Sequence, residues 1–359
     1  VVMSDELYHK YIKEKYYNFS SSNQEFTKNQ NIKYETINNS FNMVRVGCFT
    51  NNVKVANVEE NAKEIIKIVL EKQEDDLDIL VFPELSLTGY SCLDLFYQQE
   101  LLDKVVDSLY LIAKETKNVE TLFYVGAPLI HNDNLYNCAI AFYKGSILAV
   151  IPKSYLPNYN EFYEERHFVE FHEENSTILL KDKYYPFGTK FLLVNENLPA
   201  LKVAAEICED IWTVKTPSTD HVLAGATIVV NLSASDEYIG KYKYRRELIK
   251  SSSKRMLCGY VYSCSGNGES SQDLVYASHN LICENGQILK EGKLFENEYI
   301  KCDIDLDRIL AERRKNTAFS KNHVAGYQII TFSKKIKGRK ICRLIPENPF
   351  LESNPTYDE

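Results

Sequence analysis

The chain has 359 residues, and 42 Lys and Arg against 50 Asp and Glu give a formal net charge of −8, so no overall positive field draws it onto nucleic acid or an anionic membrane surface. The length suits two domains of about 150 residues, or one large α/β domain with an extension. No apolar run approaches the ~18 residues of a membrane span, and the opening VVMSDELYHK lacks the basic-then-apolar build of a signal peptide, so a soluble, cytoplasmic protein is expected.

Residues 1–42 are polar, rich in Asn, Ser, Lys and Tyr, and read as an extension with one short helix in DELYHKYIKEKYY. At Met43 the texture changes: MVRVGCF alternates as a strand does, and VEENAKEIIKIVLEKQ repeats apolar residues at helical spacing. There follow strand DILVFPE, helix LLDKVVDSLYLIAKET, strand TLFYVGAP, and a strand pair in NCAIAFYKGSILAVIPK that turns at Lys-Gly. Next come strand ALKVAAEIC, helix TDHVLAGA, strand TIVVNLS, helix YRRELIKSSSKRML, strand GYVYSCS and two strands about the ENGQ turn in NLICENGQILKEG. Continuous apolar strands interleaved with helices predict sheets covered by helices. From about Arg314 the chain turns basic and irregular and ends in the Pro-containing ENPFLESNPTYDE. The expected division is an extension over 1–42, a folded domain over 43–313 and a tail or linker over 314–359.

Nine scattered cysteines form no C-x-x-C pair, which argues against a disulfide scaffold and a structural zinc. Seven histidines form no H-x-x-x-H or Cys/His cluster, so no metal site is expected. The run KYKYRRELIKSSSKR reads as a solvated helix face, with Arg245 and Arg246 available to a neighbouring subunit or domain.

Three segments place a reactive or charged side chain at the C-terminal end of an apolar strand, where α/β folds put their ligands. In DILVFPELSLTGY, Glu84 follows Val-Phe-Pro, where poor solvation raises a carboxylate toward the range of a general base; the residue equally suits an N-cap or a surface turn. AVIPKSYLPNYNEFYEERHF puts Lys153 after a strand with Glu164 eleven positions on, either to meet a developing oxyanion or as a solvated loop charge. ALKVAAEICEDIW sets Cys208 where a strand gives way to a loop or helix, the place of a nucleophile elbow or of a buried structural thiol.

Together the three segments resemble the nitrilase (carbon–nitrogen hydrolase) superfamily, whose triad is Glu, Lys and Cys. More narrowly they resemble the glutaminase domain of glutamine-dependent NAD synthetases. The residues that carry the narrower likeness are FPELSLTGY (82–90) followed by CLDLF, PKSYLPNYNEFYEERHF (152–168), EICEDIW (206–212), NLSAS (231–235) and SGNGESSQDLVYASHNLICENG (265–286).

The resemblance implies a four-layer α-β-β-α sandwich, with two packed sheets and helices outside. It implies that Cys208 attacks the glutamine side-chain amide, that Glu84 shuttles the proton to the leaving ammonia, and that Lys153 and the backbone N–H after Cys208 hold the oxyanion. Glu164 then orients Lys153, and a γ-glutamyl thioester is hydrolysed by water that Glu84 activates. Glu209 is expected to meet the substrate's α-ammonium, and Tyr90, Tyr159 and Ser235 to line the same pocket; Trp212 suits the pocket wall or the core.

Such enzymes also carry a synthetase domain with an S-G-G-x-D-S loop that amidates deamido-NAD. No such loop occurs here and the chain opens on Val1, so a fragment or separate glutaminase half is expected. ATP, Mg and the dinucleotide are then expected only in the absent domain, with L-glutamine, that domain and further copies of the chain as partners. A stand-alone amidase on another small amide and a non-catalytic nitrilase-like scaffold are the alternatives; the intact Glu84, Lys153 and Cys208 set argues against the scaffold.

Overall fold

The computed structural model describes residues 36–37 and 42–343. The expected N-terminal helix and the segment 344–359 lie outside the described residues. The strands, in chain order, are β1 (Thr36–Ile37), β2 (Met43–Phe49), β3 (Ile79–Val81), β4 (Leu122–His131), β5 (Asn134–Tyr143), β6 (Ser146–Pro152), β7 (Ser176–Leu180), β8 (Lys183–Phe187) and β9 (Phe191–Asn195). They continue with β10 (Leu198–Ile207), β11 (Ile228–Ser233), β12 (Gly259–Cys264), β13 (Leu281–Glu284), β14 (Gln287–Glu291), β15 (Tyr299–Asp305), β16 (Gln328–Phe332) and β17 (Arg339–Lys340). β1 and β17 pair antiparallel in a small unit of their own. The rest forms the second unit.

That unit holds two mixed sheets. Eight strands run in the order β15-β2-β3-β4-β5-β6-β8-β7, and seven in the order β14-β13-β12-β11-β10-β9-β16. At the heart of each lies a parallel trio, β2-β3-β4 and β10-β11-β12. Helices Val58–Glu71 and Gln99–Glu115 follow β2 and the β3 loop, while Pro217–Leu223 and Lys241–Met256 link the second trio, as parallel pairing requires of its crossovers. The hairpin turns need positive φ at both central residues, supplied by Lys144 and Gly145 (46° and 73°) and by Asn285 and Gly286 (48° and 87°).

Because successive strand residues point to opposite faces, each sheet buries two apolar surfaces. In the eight-stranded sheet Leu80, Phe82, Phe123 and Val125 pack with Ile65, Val105, Leu109 and Ile112 of the two covering helices. Their neighbours Ile79, Val81, Leu122 and Tyr124 face inward and meet Val203, Ile207, Ile228, Val230 and Val261 of the other sheet. The outer face of the seven-stranded sheet, through Ala204, Val229, Tyr260 and Tyr262, packs on Val222, Ile249 and Met256. Three apolar layers between four layers of structure make the expected α-β-β-α sandwich.

Two sequence expectations are corrected. Residues 314–343 are not simply tail: β16 hydrogen-bonds in parallel along β9, with Phe332 buried between the sheets and Ile330 packed beside it. The face of helix Lys241–Met256 bearing Arg245 is not solvated either. Lys241, Arg245, Ile249, Ser252 and Met256 form its buried stripe, and Arg245 is wholly enclosed.

Candidate active site

Glu84, Lys153 and Cys208 sit just past β3, β6 and β10, the first two on one sheet and the third on the other. Glu84 and Lys153 are wholly buried, and Glu164 and Cys208 nearly so. The Lys153 ammonium donates to Glu84 Oε1 at 2.7 Å and to Glu164 Oε1 and Oε2 at 2.7 and 2.9 Å. Glu84 Oε1 also accepts from Asn137 Nδ2 at 2.7 Å, and its Oε2 accepts the backbone N–H of Ala234, in the opposite sheet's loop, at 2.7 Å. The Glu84 N–H in turn reaches the carbonyl of Ser233 at 3.3 Å. Under this loop, Gly126 leaves no room for a side chain: a Cβ there would stand 2.2 Å from Leu85 N and 2.8 Å from the Glu84 carbonyl carbon.

A sharp turn at Cys208 is visible in the backbone. β10 ends at Ile207, Cys208 takes φ +42°, and a single 3₁₀ turn follows over Cys208–Ile211. An L-residue in that conformation costs on the order of 1 kcal/mol, which the surroundings must offset. Here the Cys208 N–H donates to Asn231 Oδ1 at 3.2 Å.

Electrostatics follow from burial. Desolvation pulls the Lys153 ammonium down, but the carboxylates of Glu164 and Glu84 more than reverse this and hold it well above its ordinary value. Burial and the charge of Glu84 push the Cys208 thiol up, against the pull of Lys153. The resting pair is therefore a neutral thiol near a fixed cation.

Burial raises Glu164 to about 7, opposed by Lys153 and by the Tyr90 hydroxyl that donates to its Oε1 at 2.7 Å. A carboxyl raised from 4.5 to about 7 on folding binds its proton more tightly in the native chain. Its contribution to stability is therefore full below its unfolded value and declines as pH rises through its folded one. Glu164→Gln is expected to flatten the fall of stability with pH across that window, read from urea midpoints; parallel slopes in both proteins would refute the assignment.

The four predicted pocket residues are placed as follows. Glu209 accepts both ways from the Tyr159 hydroxyl, at 3.0 and 3.1 Å, and the Tyr159 ring is half exposed. Tyr90 commits its hydroxyl to Glu164. Ser235 is buried, with Arg245 Nη1 donating to its Oγ at 3.3 Å. Beside Tyr90 and Glu164 a cleft opens, walled by Phe162, Tyr163, Gln272 and Tyr276; Cys208 and Glu209 are not among the residues that line it. Tyr163 donates to Asp273 at 2.7 Å, and Glu269 accepts the backbone N–H groups of Tyr90 and Ser91 at 2.7 and 3.0 Å, so the NGESSQD segment closes one wall.

Lys241 is a group the sequence reading missed. Its ammonium pairs with Asp236, lies 5.2–5.6 Å from the rings of Tyr238, Trp212 and Phe162, and acts electrostatically on Glu209. Trp212 thus packs between Lys241 and Tyr244, on which it stacks at 5.6 Å. The buried i, i+4 stripe shared with Arg245 was the available signal.

Residues 45–314 of this sandwich, with its buried Glu-Lys pair near a Cys at a strand end, match the model of the carbon–nitrogen hydrolase family. The chain belongs to that enzyme family. Among relatives, the glutamine-dependent NAD(+) synthetase of Mycobacterium tuberculosis is 37% identical over 281 residues, 78% of this chain and 41% of its own length. That of Aquifex aeolicus is 29% identical, covering 83% of this chain and 49% of its own. The chain therefore spans less than half the length of these relatives. The crystal structure of a glutamine-dependent NAD(+) synthetase from Cytophaga hutchinsonii superimposes with a TM-score of 0.64 at 29% identity, over 73% of this chain and 43% of that one. An amidase of the nitrilase superfamily from Nesterenkonia shares the fold, with a TM-score of 0.59 at 16% identity over 76% of this chain and 94% of its own. Among the described residues no helix is long and apolar enough to cross a membrane.

Proposed function

We propose that this chain hydrolyses the side-chain amide of L-glutamine through a Cys208 thioester and supplies the ammonia to an ATP-dependent synthetase domain that amidates deamido-NAD. The observation that carries the reading is the buried chain Glu84–Lys153–Glu164 placed electrostatically against Cys208. Relatives named glutamine-dependent NAD(+) synthetases support the choice of glutamine and of the product.

In this mechanism Glu84 takes the thiol proton as sulfur attacks the amide carbon. Lys153, which at rest reaches Glu84 Oε1 and both oxygens of Glu164, gives up one Glu164 contact and turns that N–H to the oxyanion, beside the amide of Glu209. Collapse of the tetrahedral adduct passes the proton from Glu84 to the leaving nitrogen, releases ammonia and leaves the thioester. Water deprotonated by Glu84 then frees glutamate and the thiol. Glu164, braced by Tyr90, keeps Lys153 charged and aimed. The carboxylate of Glu209, held by Tyr159, and the ammonium of Lys241, paired with Asp236 and acting on Glu209 electrostatically, suit the α-ammonium and α-carboxylate of a free amino acid, with Ser235 next to Asp236 in the chain.

The test is release of glutamate and ammonia from L-glutamine, with intact mass to detect a glutamyl adduct on Cys208 and short aliphatic amides as competitors. An adduct from glutamine supports the reading. Turnover of simple amides with none of glutamine favours a stand-alone amidase and overturns it, and a folded protein with no adduct from glutamine, alone or with a synthetase domain supplied, also counts against it.

A further inference from the structure

Lys153 and Cys208 follow strands of different sheets, so their separation depends on how the two sheets are fastened at this point. Several side chains span the gap, and one of them holds backbone on both sides of it. Asp210, two residues past Cys208 and buried, accepts the Ile207 N–H on Oδ2 at 2.9 Å, directly before the candidate nucleophile. Its Oδ1 accepts the N–H groups of Ser154 and Tyr155 at 3.2 and 3.0 Å, directly after Lys153. All three partners are backbone donors, and among the described residues no cationic side chain lies at hydrogen-bond distance from the carboxylate. Burial, and behind it the charge of Glu206, pushes the Asp210 carboxyl up from its ordinary range, and the three amide donors on its two oxygens oppose that cost. A neutral amide cannot replace the carboxylate, because its NH₂ would face one of the three donors.

We infer that Asp210 is a positioning residue for the hydrolase reaction: it staples the Lys153 loop to the Cys208 turn and thereby sets the distance from the ammonium to the sulfur. The inference rests on the proposed roles of Cys208 and Lys153, but not on the identity of the amide cleaved.

The test is the pH dependence of Cys208 alkylation by iodoacetamide, followed at the peptide level by mass spectrometry, in wild type and Asp210→Asn, with melting curves alongside. Loosening the staple withdraws Lys153 from the sulfur, so the alkylation midpoint is expected to move upward. Where glutamine is turned over, kcat is expected to fall on the order of 10²-fold with KM little changed. Asp210→Glu keeps the charge with its oxygens one methylene further out; it is expected to move the midpoint the same way and replaces the first variant should that be recovered unfolded. A wild-type midpoint in a folded variant, with only the melting temperature lowered, overturns the inference and leaves Asp210 a structural group. The alkylation readout stands even if glutamine is not the substrate, so the two readings fail separately.

Discussion

Cys208→Ala is expected to lower glutamine hydrolysis on the order of 10⁴-fold or more while leaving the fold and glutamine binding in place. The buried Glu-Lys-Glu chain acts electrostatically on this thiol, and in the proposed mechanism its removal leaves the acid–base apparatus with nothing to activate. Truncation removes one atom from a side chain that is 5% exposed, and the φ of +42° is no worse for alanine than for cysteine. Glutamate release by a coupled assay, beside glutamine binding by calorimetry, separates the two effects. Hydrolysis within tenfold of wild type would sink the nucleophile assignment.

Lys153→Met is expected to abolish activity and to destabilise the fold by about 3–5 kcal/mol, because it leaves two buried carboxylates without their cation. Glu84 keeps Asn137 and the Ala234 amide, and Glu164 keeps Tyr90, but neither retains a positive partner. Glu164, already raised by burial, then holds its proton more tightly still in the folded chain than in the unfolded one. The deficit is therefore expected to be largest above neutral pH and to shrink toward about pH 5, where proton uptake removes the unpaired charge. Urea unfolding of variant and wild type near about pH 5 and about pH 8 measures it. A deficit independent of pH would mean that packing, not charge, accounts for the loss.

Much of this was legible in the sequence because strand and helix periods are properties of short windows. MVRVGCF is β2 as read, and the Lys-Gly and Asn-Gly turns fall where their positive φ is needed. Glu84, Lys153 and Cys208 were recoverable because each ends an apolar strand, and strand ends converge in α/β folds. What escaped was of other kinds. β7 and β8 alternate weakly and carry exposed Leu179 and Tyr184, and β16 is short and mixed in polarity, so no local pattern marked them. Lys241 and Arg245 were masked by the expectation that basic runs face water, although their spacing put them on the stripe with Ile249 and Met256. Asp210 left no signal, since accepting backbone N–H groups from a distant loop depends on tertiary approach alone.

The seam between the sheets also restricts how this fold can change. Its apolar filling, from Val46 and Val81 to Val203 and Val230, keeps the two sheets at the spacing that brings Glu84 and Lys153 to Cys208. A substitution there that repacks without loss of stability can still slide one sheet past the other and pull the reacting groups apart. Core positions far from any substrate are therefore expected to influence the reaction through the spacing of the sheets as well as through stability.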